Sequence, residues 1–472
     1  MPYLTLSYQK LARIIFIGSV SALGGFVFGY DAVIISGTLS LFKAQFELTA
    51  VQEGWFVSSA LIGTALGTLL SGKVSDIYGR KPVLLSGAVL IIISVISCVV
   101  FNTFPSIWTA RFIGGFGTGM TTMVCPLYIA EITPKRIRGM MVSLIQFSMT
   151  VGGATATFAN VYVFENSLSQ KYFESGYVGL SSAFMNKIIV DESWRAMFGT
   201  ELIFAVIFFA LIPLIPESPR WLLSKNRKRQ AKVILSGITS ESEVKTLLTE
   251  FQDLEMKKTN DGISELLKSP FKKALYLAMF FCFASEISGI TAIVYYGPTI
   301  LENAGFTLGG SLGSFIYMFL TNLFGCSLAI FFVDKLGRRP FLLAGTIGAI
   351  VALVTSGLML TQNIQGFPIV LAICGYIFSY SFAMGPIKLV FASEVFPVRL
   401  RGLAVAISMS VIWFTGVVIN QLFPIIRDVF SIDLIFYLFA FFLIPQIYVV
   451  IKFMPETKSK SLEEIGQMLM RG

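Results

Sequence analysis

The sequence predicts an all-α membrane protein with twelve transmembrane helices in two halves of similar plan. Of its 472 residues, 55% are hydrophobic and only 13% are charged, and the mean hydropathy is +0.77. Soluble domains carry about 25% charged residues. Twelve apolar runs are long enough to cross a bilayer, which takes about 20 helical residues. In addition, charged motifs recur in the same order in the two halves.

The predicted spans are the apolar runs between charged loops. They lie near 12–36, 51–72, 83–101, 106–129, 140–163, 196–215, 273–298, 312–333, 341–361, 367–391, 402–424 and 432–453. Residues 217–271 are polar, with charged residues interleaved with Leu and Ile, which is typical of short amphipathic helices at a membrane surface. We therefore predict an N-terminal six-helix bundle at 1–216, a linker at 217–271, and a C-terminal six-helix bundle with a short tail at 272–472.

Two loop motifs show that the halves are repeats. The first reads DIYGRKP at 76–82 and DKLGRRP at 334–340, and the second reads EITPKRIRG at 131–139 and EVFPVRLRG at 394–402. Glycine pairs such as Gly63 and Gly67 are spaced for close approach of helices. An internal repeat in the same order is typical of a membrane transporter.

Lysine and arginine concentrate in the loops after the second, fourth, sixth, eighth and tenth spans, whereas the opposite loops hold few. The positive-inside rule then places both termini and the linker in the cytoplasm. The net charge of +9 is dispersed among these loops. We therefore expect anionic lipid as a partner and no nucleic acid. No Asn-x-Ser/Thr sequence occurs, which fits a bacterial inner membrane.

The residue types exclude several kinds of chemistry. The five cysteines fall singly inside predicted spans, without the spacing of a zinc site or a disulfide framework. Histidine is absent, and we find no nucleophile motif or cluster of metal ligands. We therefore expect no metal, no cofactor and no enzymatic activity. Any group that handles a proton must be a buried carboxylate or a lysine.

The loop motifs, together with PESPRWL at 216–222 and PETK at 455–458, resemble the sugar porter family of the major facilitator superfamily. Within it, the pattern is most similar to bacterial proton-coupled pentose and hexose symporters. The resemblance covers essentially the whole chain. It implies the major facilitator fold, in which two six-helix bundles rock around a central site that opens alternately to each side. It also implies import of a sugar or polyol together with a proton across the plasma membrane, and nothing in the sequence demands more than a monomer.

The charged loop residues are candidates for a cytoplasmic gate, in which they would pair across the bundles when the cytoplasmic side closes. The alternative is that they only anchor the loops by the positive-inside rule and keep them solvated. The gate candidates are Asp76, Arg80, Glu131, Arg136, Arg138, Glu217, Arg220, Asp334, Arg338, Glu394, Arg399, Arg401 and Glu456.

Three charged residues inside predicted spans are candidates for proton coupling. Asp31, Arg111 and Glu201 match the positions that form the coupling group in the symporters that this chain resembles. An ionisable residue at such depth costs about 2.5–3.5 kcal/mol on insertion scales, so it indicates function. Protonation of Asp31 would release Arg111 to Glu201. The alternative is that Asp31 and Arg111 form only a structural ion pair.

The candidate substrate-binding residues agree with the family pattern only in part. They are Phe28, Gln146, Glu286, Thr291, Tyr295, Tyr296, Asn322, Gly385, Lys388 and Trp413. In the seventh span the family pattern Gln-Gln-x-x-Gly-x-Asn is replaced by SEISGIT at 285–291. Other expected side chains are replaced by Gly153, Leu389 and Ile412. The usual ring of sugar-binding amides is therefore missing.

Glu286 and Lys388 add an acid and a base where the family has neutral residues. They favour an interhelical salt bridge that shapes a pocket for a neutral polyol. The alternative is that they bind a charged or zwitterionic sugar-related solute. A facilitative uniporter and, less favoured, a transporter-like nutrient sensor are the other functions that the sequence leaves open.

Overall fold

The computed structural model describes residues 8–134, 137–172, 186–239, 244, 262–269 and 271–456. Twelve helices in this part of the chain are long and apolar enough to span a membrane, which confirms the predicted fold class. Their bounds are Tyr8–Phe46, Ala50–Tyr78, Arg80–Val100, Phe104–Ile132, Arg138–Ser169, Ser193–Leu214, Phe271–Asn303, Leu308–Val333, Arg338–Thr361, Phe367–Ala392, Leu400–Val429 and Ile432–Lys452. Helices suit the bilayer because each satisfies its backbone hydrogen bonds internally.

The first six spans are formed by α1 to α6. These are α1 (Tyr8–Phe46), α2 (Ala50–Tyr78), α3 (Arg80–Val100), α4 (Phe104–Ile132), α5 (Arg138–Tyr172) and α6 (Ser193–Leu211). A π-helical turn at Lys187–Asp191 precedes α6, and a short 3-10 turn at Ile212–Leu214 follows it. Several helices extend beyond their predicted spans, because hydropathy falls at the first polar residues whereas the helical backbone continues past them.

Three short helices lie in the segment predicted to link the halves: α7 (Pro219–Ser224), α8 (Lys228–Ser236) and α9 (Gly262–Leu266). They agree with the prediction of short helices there, and the rest of the predicted linker up to residue 261 falls largely outside the described residues.

Eight helices form the remaining spans. These are α10 (Phe271–Ile287), α11 (Ile290–Asn303), α12 (Leu308–Leu336), α13 (Arg338–Thr361), α14 (Phe367–Ser379), α15 (Gly385–Glu394), α16 (Val398–Val429) and α17 (Ile432–Lys452). Two of these spans are discontinuous. Gly289, with a φ of 85°, separates α10 from α11, and a π-helical segment at Tyr380–Met384 separates α14 from α15. Irregular backbone at membrane depth is tolerated where it is covered by protein or lines a cavity.

The helices group into two compact units that interleave along the chain. One comprises Met1–Ala32, Ile62–Gly153 and Phe198–Asn260, and the other Val33–Leu61, Ala154–Met197 and Asp261–Gly472. These units do not divide at residues 216 and 272, so the predicted bundle boundaries stay a prediction.

Helices α2 and α4 pack with their backbones in close approach. A Cβ atom added to Gly63 would lie 2.2 Å from the Phe112 carbonyl oxygen, and one added to Gly67 would lie 2.2 Å from that of Phe116. Conversely, a Cβ on Gly119 would lie 2.2 Å from the Thr64 carbonyl oxygen. Small residues thus allow the contact between helices that the glycine spacing predicted.

We expect Gly67→Ala to destabilise the protein by about 1–3 kcal/mol, because the added methyl group forces α2 and α4 apart. Thermal unfolding in detergent measures the effect. Gly72→Ala on the same helix is the matched control, since a Cβ atom there meets nothing within 4 Å. Equal melting temperatures for the two variants would contradict the packing explanation.

Candidate functional site

Asp31 and Arg111 form a buried ion pair in the first compact unit. Nη1 of Arg111 lies 2.5 Å from Oδ1 of Asp31, and the two residues are 3% and 7% exposed, respectively. The guanidinium group also lies 5.3 Å from the ring centroid of Phe198. Helices α1 and α4 are therefore joined by a charge-assisted hydrogen bond that water barely reaches.

Glu201 on α6 is the third member of this cluster. It is 1% exposed, and neither of its carboxylate oxygens has a hydrogen-bond partner in the structure. Its charge interacts with those of Asp31 and Arg111. Next to it, the Tyr30 and Thr200 hydroxyls are 2.6 Å apart and tie α1 to α6. The structure thus brings together the three residues that the sequence proposed for proton coupling.

Lys388 and Glu286 form a second buried ion pair, which joins α15 to α10 in the other compact unit. Lys388 Nζ lies 3.1 Å from Glu286 Oε1, and it also donates to Ser285 Oγ at 2.8 Å and to Tyr380 Oη at 2.9 Å. A lysine ammonium group has three N–H donors, so all of them are used. The interhelical bridge considered from the sequence is therefore present.

The second oxygen of Glu286 has no hydrogen-bond partner although it is buried. A Cβ atom on Gly416 would lie 4.0 Å from it, so this oxygen faces α16 one turn beyond Trp413. Thr291, just after the break at Gly289, likewise has a buried hydroxyl without a partner. Buried polar atoms are nearly always satisfied, so each of these two oxygens is a position where a water molecule or a hydroxyl group of a solute can bind.

The other candidate substrate residues are placed less uniformly. Tyr296 is fully buried, its hydroxyl donates to the Asn420 carbonyl oxygen at 2.9 Å, and its ring stacks on Phe423. It therefore packs helices together in this conformation. The Asn322 side-chain oxygen accepts a weak hydrogen bond from Cys326.

The remaining candidates differ mainly in exposure. In the second unit, Tyr295 is buried, whereas Gly385 and Trp413 are half-buried. In the first unit, Phe28 is half-buried and Gln146 is exposed. Exposure alone does not distinguish binding residues from packing residues among them.

Tyr380 contacts the ion pair of Lys388 and Glu286, although the sequence did not identify it as a site residue. Its hydroxyl contacts both Lys388 and Ser285, and it lies in the π-helical segment that interrupts the tenth span. The chain has 16 tyrosines, and no sequence signal distinguishes Tyr380 from the others.

Arg80 and Arg338 occupy equivalent positions in the repeated loops, and each pairs with an acid of its own half. Arg80 makes two hydrogen bonds to Glu131, at 2.8 and 2.9 Å, and one to Asp76 at 2.9 Å. Arg338 contacts Glu394 in the same way, at 2.7 and 3.3 Å. The pairing across bundles that the sequence predicts for a closed cytoplasmic side stays a prediction.

Glu217 and Glu456, from the PESPRWL and PETK motifs, cap the helices that begin at these arginines. The Arg80 amide donates to Glu217 Oε1 and the Arg338 amide donates to Glu456 Oε1, each at 3.0 Å. A carboxylate is stabilised at a helix N-terminus by the unpaired amides and the helix dipole. The repeated motifs therefore shape the starts of α3 and α13.

The remaining gate candidates include one more equivalent pair. Arg138 donates to the Thr133 carbonyl oxygen at 3.3 Å, and Arg401 donates to that of Phe396 at 3.4 Å. Arg220 is exposed. Arg136 and the side chains of Asp334 and Arg399 lie outside the described residues.

Comparison with known proteins agrees with this architecture. The family described as sugar (and other) transporter matches residues 17–469. The arabinose-proton symporter of Bacillus subtilis is 30% identical over 464 residues, which cover 98% of this chain and 96% of that protein. The major myo-inositol transporter of the same organism is 30% identical, with 95% and 92% covered.

Solved structures show the same fold. The partially occluded inward-open conformation of the xylose transporter from E. coli superimposes with a TM-score of 0.80 at 28% identity, covering 96% of this chain and all of that one. The proton:xylose symporter bound to 6-bromo-6-deoxy-D-glucose gives a TM-score of 0.76. The family match spans nearly the whole sequence, and the twelve-helix architecture is shared. This chain is therefore an integral membrane protein of the sugar (and other) transporter family and has the major facilitator fold.

Proposed function

We propose that this protein imports a neutral sugar or polyol together with a proton, by alternating access. The observation that carries the proposal is the buried cluster of Asp31, Arg111 and Glu201. The named activities of the arabinose-proton symporter and the myo-inositol transporter support the same class of substrate. We also propose that the protein is a monomer in a bacterial inner membrane with both termini in the cytoplasm.

The cluster contains one base and two acids, so it holds one proton when its charges balance. Arg111 keeps its charge at any working pH. Asp31 is bound to Arg111, whereas burial of an ionised Glu201 without any hydrogen bond would be costly. In this conformation the proton therefore resides on Glu201. Transfer of the proton to Asp31 frees Arg111 to pair with Glu201.

This exchange gives the helices two alternative arrangements. Arg111 on α4 is joined either to α1 through Asp31 or to α6 through Glu201. A proton that biases the choice between them also biases the relative positions of these helices. A symporter requires such a coupling of protonation to helix position, whereas a facilitative uniporter does not.

The ion pair of Lys388 and Glu286 favours a neutral substrate over a charged one. The two charges neutralise each other, and Lys388 has no N–H left for an anion. The unpaired Glu286 oxygen can accept a hydrogen bond from a sugar hydroxyl, but it repels a carboxylate or phosphate.

Uptake into proteoliposomes tests the proposal. We expect an imposed inward proton gradient to drive accumulation of at least one neutral pentose, hexose or inositol, and of no sugar acid. Empty liposomes and liposomes treated with a protonophore are the controls. Equilibration without accumulation would identify a uniporter, and gradient-driven uptake confined to charged compounds would overturn the assignment of a neutral substrate.

A further inference from the structure

A third group of paired charges is centred on a buried glutamate and lies outside the repeated loop motifs. Glu53, in the first turn of α2, is completely buried and accepts two hydrogen bonds from Arg427 at 2.8 and 2.9 Å. Lys43 Nζ lies 2.7 Å from the same carboxylate. Arg427 also contacts Asp428 at 2.8 Å, so two bases and two acids balance in charge.

We propose that Glu53, Arg427 and Lys43 form an ion-pair latch, which closes the substrate pathway on one side of the membrane and must open during each transport cycle. The proposal rests on the proposed function, because only a transporter needs such a gate. Lys43 and Glu53 belong to the first two spans, whereas Arg427 ends the eleventh span, 374 residues after Glu53. The latch thus joins the two sequence repeats.

Neighbouring contacts join the same parts of the chain. The Ser40 hydroxyl near the end of α1 donates to Glu302 Oε1 near the end of α11 at 2.8 Å. The Ser58 hydroxyl of α2 donates to Gln421 Oε1 of α16 at 3.0 Å. A Cβ atom on Gly54 would lie 2.7 Å from the Gln421 carbonyl oxygen, so α2 and α16 touch along their backbones. Within this compact unit, the end of α1 and the start of α2 are therefore held against the second repeat.

The latch lies at one end of α2, and the loop that holds Arg80 lies at the other end. The positive-inside rule assigns the Arg80 loop to the cytoplasm, so the latch belongs to the outer side. In alternating access the outer side must open before a solute enters the central site. The contacts of Glu53 must then break, since they tie α2 to α16.

Hydrogen-bonded ion pairs suit such a gate because they have discrete formed and broken states. When the latch opens, water solvates the separated charges and offsets much of the lost attraction. An apolar contact of the same area would instead expose hydrocarbon to water each time. The two parallel hydrogen bonds from Arg427 to Glu53 fix the position of α16 against α2 each time the latch closes.

Distance measurements between spin labels test the latch without relying on transport. Labels replace the exposed residues Glu47 and Val429 in a cysteine-free background, so that they report the separation of the latched segments. We expect Glu53→Gln to raise the ratio of open to closed molecules by on the order of tenfold or more, because it leaves the largely buried Arg427 and the half-buried Lys43 with one acidic partner fewer. Asp428→Asn is the control, since Asp428 is 47% exposed and touches the same arginine.

A charge-exchange variant controls for the possibility that Glu53→Gln misfolds. Glu53→Arg combined with Arg427→Glu, made in a Lys43→Gln background, rebuilds the pair with reversed polarity. We expect it to restore the closed distance distribution of a Lys43→Gln protein. An unchanged distribution in Glu53→Gln, or no restoration by the exchange, would overturn the latch. Distance shifts in a protein that moves no solute would instead leave the latch in place and overturn the proposed function.

Discussion

Replacing Asp31 with asparagine is expected to abolish uphill uptake. Asparagine fills the same space, but it neither carries the negative charge that holds Arg111 nor accepts the transported proton. With one proton per neutral substrate, an inward potential of about 100 mV supplies roughly 2.3 kcal/mol. That energy supports accumulation of about fortyfold at 1.4 kcal/mol per factor of ten. The variant should stop at an internal concentration equal to the external one.

Accumulation of labelled substrate in proteoliposomes measures this effect, and counterflow in the absence of a gradient shows whether the variant is folded. Asp433→Asn is a matched control, because Asp433 belongs to the other compact unit, where it lies in the first turn of α17 and accepts a hydrogen bond from the Thr361 hydroxyl. If the Asp31 variant still concentrates substrate, the pair of Asp31 and Arg111 is structural and the coupling group lies elsewhere.

The pair of Glu286 and Lys388 is expected to behave as a unit when its members are replaced. Glu286→Gln leaves a buried ammonium group without its counter-ion, and Lys388→Met leaves a buried carboxylate without one. Loss of one partner from a buried pair costs about 3–5 kcal/mol. The double variant removes both charges, so we expect it to recover most of the lost stability.

Thermal unfolding of the two single variants and the double variant measures this coupling. Asp428→Asn, at the exposed partner of Arg427, gives the scale for a solvated ion pair, where about 0–1 kcal/mol is expected. Independent, additive losses in the double variant would show that the two residues do not stabilise each other. Stable single variants that accept new charged substrates would make Glu286 and Lys388 the substrate's own counter-ions.

The unpaired oxygen of Glu286 also bears on selectivity. A site whose buried acceptor requires a hydroxyl donor discriminates against an analogue that lacks that hydroxyl. The Glu286 carboxylate replaces an amide of the family pattern, which both donates and accepts hydrogen bonds. The site therefore offers only an acceptor where the family pattern offers both functions, and we expect this difference to change the substrate preference.

Much of the fold follows from the sequence alone. The apolar runs predicted twelve spans because a lipid environment permits few other structures for such segments. The repeated loops predicted two related halves, and the glycine spacing predicted close approach between spanning helices, which the structure shows for α2 and α4. These features depend on local composition and short-range periodicity, which a single sequence displays directly.

The partners of the charged residues could not be predicted in the same way. Arg80 pairs with Glu131 near the end of α4, 51 residues further along the chain. Glu217 caps the helix that begins at Arg80. The sequence showed that these residues recur, but it did not show which acid each arginine contacts within its own half. A hydrogen bond depends on distances of a few tenths of an ångström, which spacing along the chain does not define.

The sequence by itself determined that this is a twelve-span protein with charges buried in the membrane, and it identified Asp31, Arg111 and Glu201 as candidates. Only the tertiary structure decided which charges meet. It selected the bridge between Lys388 and Glu286 from the two alternatives that the sequence left open, and it joined Glu53 to Arg427 across 374 residues of sequence. Ionic partners are chosen by the packing of whole helices, because a charge in a low-dielectric interior must find its counter-charge wherever the fold places one.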